Sequence, residues 1–162
     1  MKEKNHVLKT SCPQMKTFLY YNHGSFHFKL ELEGGLVKLV GFIDPNDAEA
    51  SMPNSSHQYI NKLGSYLSGD CRDLELPHVL KTTEFAARVY AATIAIPPGE
   101  TRTYGQIAVQ IGSPRASRAV GAALRANPLP LIIPCHRVLG ANGQLTGFAG
   151  GLELKRLLLE LE

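Results

Sequence analysis

The string Ile133-Pro134-Cys135-His136-Arg137-Val138 sets a potential thiolate nucleophile beside an imidazole, and it is where this chain is best equipped for covalent chemistry. A cysteine attacks as thiolate, and a neighbouring imidazole, the charge of Arg137 or a helix N-terminus would lower its pKa toward neutrality. Consecutive residues do not normally point the same way, so Cys135 and His136 can cooperate only in a turn or through an intervening water. Read alone, such a thiol can attack carbon, bind metal or simply pack, and packing is the commonest case.

The elements that must position this pair are legible on both sides. Leu131-Ile132-Ile133 is an apolar run that anchors the pair in a core, and Asn127-Pro128-Leu129-Pro130 ends the helix before it. That helix is expected to start at Ser113-Pro114, with serine as N-cap and proline in the first turn, and to run to about Ala126. A wheel places Ala116, Ala119, Val120, Ala123 and Leu124 on one side and Arg115, Arg118, Ala122 and Arg125 on the other. A shorter helix, Tyr104 to Ile111, precedes it and is stopped by Gly112. Helix, tight turn, then a helix bearing arginines beside the small Gly121 and Ala122 is what a helix-turn-helix reader of nucleic acid needs. An ordinary amphipathic surface helix has the same pattern. Further upstream, Phe85, Val89 and Ala92 share a face of a helix that starts near Thr83 and is stopped by Pro97-Pro98-Gly99.

The first half reads differently. Phe26 to Glu33 alternates strictly, with Phe26, Phe28, Leu30 and Leu32 on one face, as a half-buried strand does. Gly34-Gly35 closes a hairpin to Leu36–Phe42, Thr17–Tyr21 fits a preceding strand, and Ile60, Leu63 and Leu67 lie at helical spacing after an Asn54/Ser55 cap. The expectation is a small α/β domain over 1–77 and a mainly helical domain over 78–162, with Asp70–Asp73 and Leu76-Pro77-His78 as linker.

Composition bounds the rest. With 162 residues, 44% hydrophobic and 19% charged, the chain is an ordinary globular protein with no run long enough to span a bilayer, and the cytoplasm is the expected compartment. Cys12, Cys71 and Cys135 are widely spaced and odd in number, so neither a disulfide framework nor a zinc ribbon is expected. The net charge of +3 hides an asymmetry: residues 1–80 carry 8 Lys/Arg against 9 Asp/Glu, and residues 81–162 carry 9 against 5. Between Thr101 and Leu152 there are five arginines and no acid. A polyanion is the partner this distribution suits.

Arg118 to Glu162, together with Thr101–Ala108 (TRTYGQIA), resembles the O6-alkylguanine-DNA alkyltransferases, also called methylated-DNA–protein-cysteine methyltransferases. Several separated motifs match in order, whereas the first half matches only in layout. The resemblance implies a ribonuclease H-like first domain, a winged helix-turn-helix in the second, and single-use transfer of an alkyl group from O6-alkylguanine to Cys135. By the same resemblance His136 relays the thiol proton through a water, Glu162 orients the imidazole, Tyr104 donates toward the guanine ring and Asn127 holds the turn. Arg118 enters the base stack when the damaged nucleotide is flipped out, and Arg115, Ala119, Gly121, Ala122 and Arg125 belong to the DNA-binding surface. The loop Gly143–Gly151, with Phe148, Ala149 and Gly150, joins Tyr104, Pro130 and Val138 as the alkylguanine pocket. The implied partner is duplex DNA containing O6-alkylguanine, bound by a monomer in the minor groove, with no cofactor. Some relatives carry zinc in the first domain, but no ligand set is recognisable here, so no metal is expected. Glu162 sits at the border of a Leu154, Leu157, Leu158 and Leu161 stripe, at the end of the sequence, where fraying is the usual state.

Overall fold

The computed structural model describes residues 15–162; Cys12 lies outside the described residues. Strands β1 (Lys16–His23), β2 (Phe26–Glu33) and β3 (Leu36–Ile43) form an antiparallel sheet in sequence order. Alternation decides its faces: Phe28, Leu30 and Leu32 are buried on one side of β2, as the sequence pattern requires. Gly34 and Gly35 have φ of 60° and 81°, the left-handed conformation that a two-residue hairpin turn needs at both central positions.

Helix α1 (Gln58–Leu67) covers the buried face with Tyr59, Ile60, Leu63, Tyr66 and Leu67. Its cap is His57, whose Nδ1 accepts from Tyr59 N at 3.1 Å, and not Asn54 or Ser55. Those two are taken by the edge strand: Asn54 Oδ1 accepts from Asn22 N at 2.7 Å and Ser55 Oγ from Tyr20 N at 2.9 Å. An exposed edge has unpaired backbone groups, and these side chains satisfy them.

The second half contains α2 (Glu84–Ile94), α3 (Tyr104–Gln110), α4 (Ser117–Arg125) and α5 (Gly151–Leu161), with β4 (Arg102–Thr103) pairing in parallel with β5 (Val138–Leu139). A capping box of Thr103 and Gln106 opens α3. Gly112, at φ 70°, closes it in a Schellman arrangement: Ser113 N donates to Ala108 O at 2.8 Å and Gly112 N to Val109 O at 2.9 Å. Ser113 therefore finishes α3 instead of capping α4. Residues 113–116 form a separate turn, and α4 begins at Ser117 without a side-chain cap. The later start places Arg115 on that turn and leaves Ala119 exposed, while Val120 and Leu124 are buried.

The expected linker is more than a tether. Leu74 and Leu76 are buried, Pro77 O accepts from Val37 N at 2.8 Å, and Val79 N donates to Val37 O at 3.1 Å, so residues 77–79 bracket β3. One apolar cluster runs from Leu30 and Leu63 of the first half to Ile107, Leu129 and Leu158 of the second.

Candidate active site

Asn127 organises the chain after α4. Its Oδ1 accepts from Leu129 N at 2.9 Å and its Nδ2 donates to Ile133 O at 3.1 Å, while Ile133 N donates to Leu129 O at 2.8 Å. Within this closed loop Leu131 has φ 74°, a conformation costing a non-glycine residue about 1–3 kcal/mol. Its fully packed side chain, 2% exposed, offsets that. β3 also grips the loop, Val40 N donating to Pro128 O at 2.9 Å.

Pro134, at φ −76° and ψ 63°, then makes an inverse γ-turn closed by Cys135 N and Ile133 O at 2.7 Å. A 3-10 turn, Cys135–Arg137, follows directly. With three residues per turn its side chains diverge by about 120°. Cys135 faces a cavity of ≈ 590 Å³ between α4 and the loop at 146–149, His136 turns into the core toward Glu162, and Arg137 turns toward the linker.

His136 is fully buried. Its Nε2 donates to Glu162 Oε1 at 2.9 Å, which leaves Nδ1 as the unprotonated nitrogen of the neutral ring. Among the described residues, Nδ1 is the single buried side-chain nitrogen or oxygen without a hydrogen-bond partner. Burial pushes the His136 pKa below its ordinary value, with Glu162 acting in the opposite direction, so the ring is neutral at neutral pH.

Glu162 does not fray. Its side chain is 1% exposed and also accepts from Tyr66 OH at 3.2 Å and from Arg137 Nη2 at 2.8 Å. Burial alone would raise its pKa, but the hydrogen bonds and charges of His136 and Arg137 overcome that and hold it down at about 2.

Arg137 is spent on this core and not on the thiol. Its guanidinium also bonds Asp73 at 2.9 Å, Ile96 O at 2.8 Å and Arg72 O at 3.1 Å. The cation acting on Cys135 is instead Lys155, a buried lysine on α5 whose Nζ donates to Val138 O at 2.7 Å and Thr146 O at 2.9 Å. The thiol is not brought toward neutrality either. Burial pushes the Cys135 pKa up, and the Asn127 amide and the Lys155 charge only partly pull it back. The resting group is therefore a thiol that needs a base.

The cavity collects most of the residues expected there. Tyr104, Asn127, Pro130, Phe148 and Ala149 line it, as do Arg118, Gly121, Ala122 and Arg125 from α4. Tyr104 lies against α4 at Gly121, where an added Cβ would sit in ordinary van der Waals contact with the ring at 3.8 Å. Val138 and Gly150 do not line it. Val138 is fully buried in β5 and offers its carbonyl to Lys155, and Gly150 is wedged where a Cβ would fall 2.7 Å from Leu154 and 3.0 Å from the Phe42 ring. Arg115 borders a separate depression with Ser113, Pro114 and Ala116, and Ala119 lies outside the cavity. Thr146, whose Oγ1 donates to Tyr104 OH at 3.3 Å, is a wall residue the sequence did not single out. Neither were Tyr66 and Lys155: both sit in helical apolar stripes, where a tyrosine reads as core and a lysine as a solvated edge. Among the described residues, no cluster of three or more His, Cys, Asp or Glu could hold a metal ion.

Residues 84–162 match the family described as 6-O-methylguanine DNA methyltransferase, DNA binding domain. The methylated-DNA–protein-cysteine methyltransferase of Mycobacterium tuberculosis is 48% identical over 110 residues, covering 68% of this chain and 67% of the relative. That of Methanosarcina mazei is 44% identical over 137 residues, covering 80% and 85%. Among solved structures, the M. tuberculosis O6-methylguanine methyltransferase superposes with a TM-score of 0.78 at 36% identity, over 91% of this chain and 92% of that one. The M. tuberculosis OGT in complex with DNA gives a TM-score of 0.75, covering 89% and 91%. The small antiparallel sheet with its helix, the helical second half and the sequence identity over most of the chain agree on one conclusion: this protein belongs to the O6-methylguanine-DNA methyltransferase family.

Proposed function

We propose that this protein repairs O6-methylguanine in DNA by moving the methyl group, once and irreversibly, onto the sulfur of its own Cys135. The observation that carries the assignment to Cys135 is its position on the cavity wall, one residue from an imidazole whose outer nitrogen is locked onto a buried carboxylate. Cys135 gives its proton through a bridging water to His136 Nδ1, and Glu162 stabilises the imidazolium that forms. The sulfur attacks the methyl carbon, the S–C bond forms as the C–O6 bond breaks, and the electron pair leaves with guanine O6. Tyr104 supplies a hydrogen bond toward the departing ring. The product is a thioether with no leaving group that water can displace, so each molecule reacts once.

The reacting carbon cannot meet a protein sulfur inside the duplex, so the nucleotide must be extruded at a cost of a few kcal/mol. Arg118 and Arg125 on the cavity rim suit phosphate pairing and filling of the vacated stack, and Gly121 and Ala122 let α4 approach the backbone. We assign residues 1–77 to a supporting domain and residues 78–162 to DNA binding and transfer, with the minor groove as the docking site, a monomer as the acting form and the cytoplasm as the compartment. Among the described residues no helix is long and apolar enough to cross a membrane.

Intact-protein mass before and after incubation with O6-methylguanine duplex DNA tests the reading. The expected result is a gain of one methyl group, mapped to the peptide containing Cys135 and lost in Cys135→Ser. Turnover of many lesions per protein without an adduct overturns it.

A further inference from the structure

We propose that Tyr66, on α1 of the first half, is a positioning residue of the transfer reaction, its hydroxyl holding the Glu162 carboxylate in register with the His136 ring. The inference rests on the alkyl-transfer reading above and extends its machinery beyond residues 84–162, where the family match lies. Tyr66 is 3% exposed and belongs to the α1 face that carries Ile60, Leu63 and Leu67, so its ring runs through the core and only its hydroxyl reaches the relay. The oxygen donates to Glu162 Oε1 at 3.2 Å and lies 3.4 Å from His136 Nε2. The three polar groups thus form a triangle, one corner of which comes from a helix 70 residues away in sequence.

What the third corner does follows from counting donors on Oε1. His136 Nε2, Tyr66 OH and Arg137 all donate to that one atom. A carboxylate oxygen so occupied has a weak hold on a further proton, so the Nε2 proton stays on His136 and the unpartnered Nδ1 keeps its lone pair. It also cannot swing off the plane of the ring. Tyr66 is suited to the task because burial, and next the Glu162 charge, push its pKa far above the ordinary value, which keeps it a neutral donor throughout the working range. The charged or titratable groups facing His136 are Glu162, Tyr66, Arg137 and, from α5, Lys155.

The test uses the full chain and single-turnover transfer of labelled methyl from O6-methylguanine duplex DNA, followed across the acid limb of the pH profile. Tyr66→Phe removes only the hydroxyl. The expected result is a fall in rate constant of about tenfold, the scale of one hydrogen bond to a charged group. The acid limb should also move to higher pH, since a carboxylate with one donor fewer raises the imidazole pKa, while duplex-DNA affinity stays unchanged. Ile60→Val, a packing change on the same helix face, should lower stability without moving the acid limb. A Tyr66→Phe profile that overlays the wild type overturns the inference. A wild-type protein that transfers no methyl, or a Cys135→Ser variant that still does, overturns the underlying reading instead. Should Tyr66→Phe fail to fold, the unaltered protein decides: a protected Tyr66 hydroxyl proton with a nuclear Overhauser contact to the His136 Nε2 proton supports the inference, and a freely exchanging one overturns it.

Discussion

Glu162 Oε1 accepts the Nε2 proton of His136 at 2.9 Å, although the carboxylate is carried by the final residue of the sequence. The same carboxylate neutralises Arg137, which is 2% exposed and keeps only the half-exposed Asp73 as a second acid. Glu162→Gln should therefore act on two observables. Unfolding free energy should fall by about 3 kcal/mol, because removing one partner of a buried pair leaves the other charge undercompensated. The transfer rate should fall by one to two orders of magnitude, on the order of general acid–base contributions. Denaturant melts and single-turnover kinetics check the two separately.

The same pair predicts an acid limit. Glu162 is held at about 2 in the folded protein, below its ordinary 4.5, so the stability it contributes is present above 4.5 and is lost as pH falls toward 2. His136 is pushed below its ordinary 6.5, and its contribution begins to fade once the unfolded chain protonates below that value. Urea midpoints should therefore be level near neutrality, decline gently below 6.5 and drop steeply below 4.5. A flat midpoint across that range would contradict the buried geometry of both groups.

Lys155 has backbone carbonyls, and no acid, as hydrogen-bond partners, and it lies close enough to Cys135 to favour the thiolate. Lys155→Met keeps most of the buried stem volume and removes the charge. The Cys135 pKa, read by the pH dependence of alkylation with a small electrophile, should rise, and methyl transfer should slow by about tenfold, which corresponds to one pKa unit. Unfolding free energy should change little, since relief of the buried ammonium is offset by the two carbonyls left without a donor.

Arg118 lies on the cavity rim and is exposed. On the proposed reading it serves extrusion and not chemistry. Arg118→Ala should slow repair of duplex DNA by about tenfold or more, given that extrusion costs a few kcal/mol, and should leave reaction with the free modified base near the wild-type rate. Equal losses on both substrates would contradict the stacking role.

Gly150→Ala tests the pocket wall from behind. The added methyl would fall 2.7 Å from Leu154 Cδ2 and 3.0 Å from the Phe42 ring. Phe42 packs against Phe148 with centroids 5.5 Å apart, so the displacement is passed to the wall of the cavity. Stability should drop by about 1–3 kcal/mol, the usual cost of overpacking, with a parallel loss of transfer. Thermal melts and transfer rates check it together.

Legibility from sequence followed the range of the interactions. β2 and its hairpin were readable because alternation and Gly34-Gly35 are local signals. The caps of α1 and α4 are not legible in the sequence because Asn54 and Ser55 are claimed by a strand more than thirty residues earlier, and Ser113 by the end of α3. The order Cys-His-Arg was visible, but its three directions depend on an inverse γ-turn and a 3-10 turn that no periodicity announces. That is why Arg137 was expected to act on the thiol while Lys155 does so. Tyr66 and Asp73 meet Glu162 and Arg137 across 96 and 64 residues, a distance over which a single sequence has no pattern to read.

The bracket that residues 77–79 place around Val37, together with the bond from Val40 to Pro128, ties the sheet by backbone hydrogen bonds to the loop that leads into the Cys135 turn. The turn that carries the sulfur is thus anchored to the first half as well as the second. On the proposed reading, a lesion that reaches the sulfur therefore meets a site whose support is drawn from both halves of the chain.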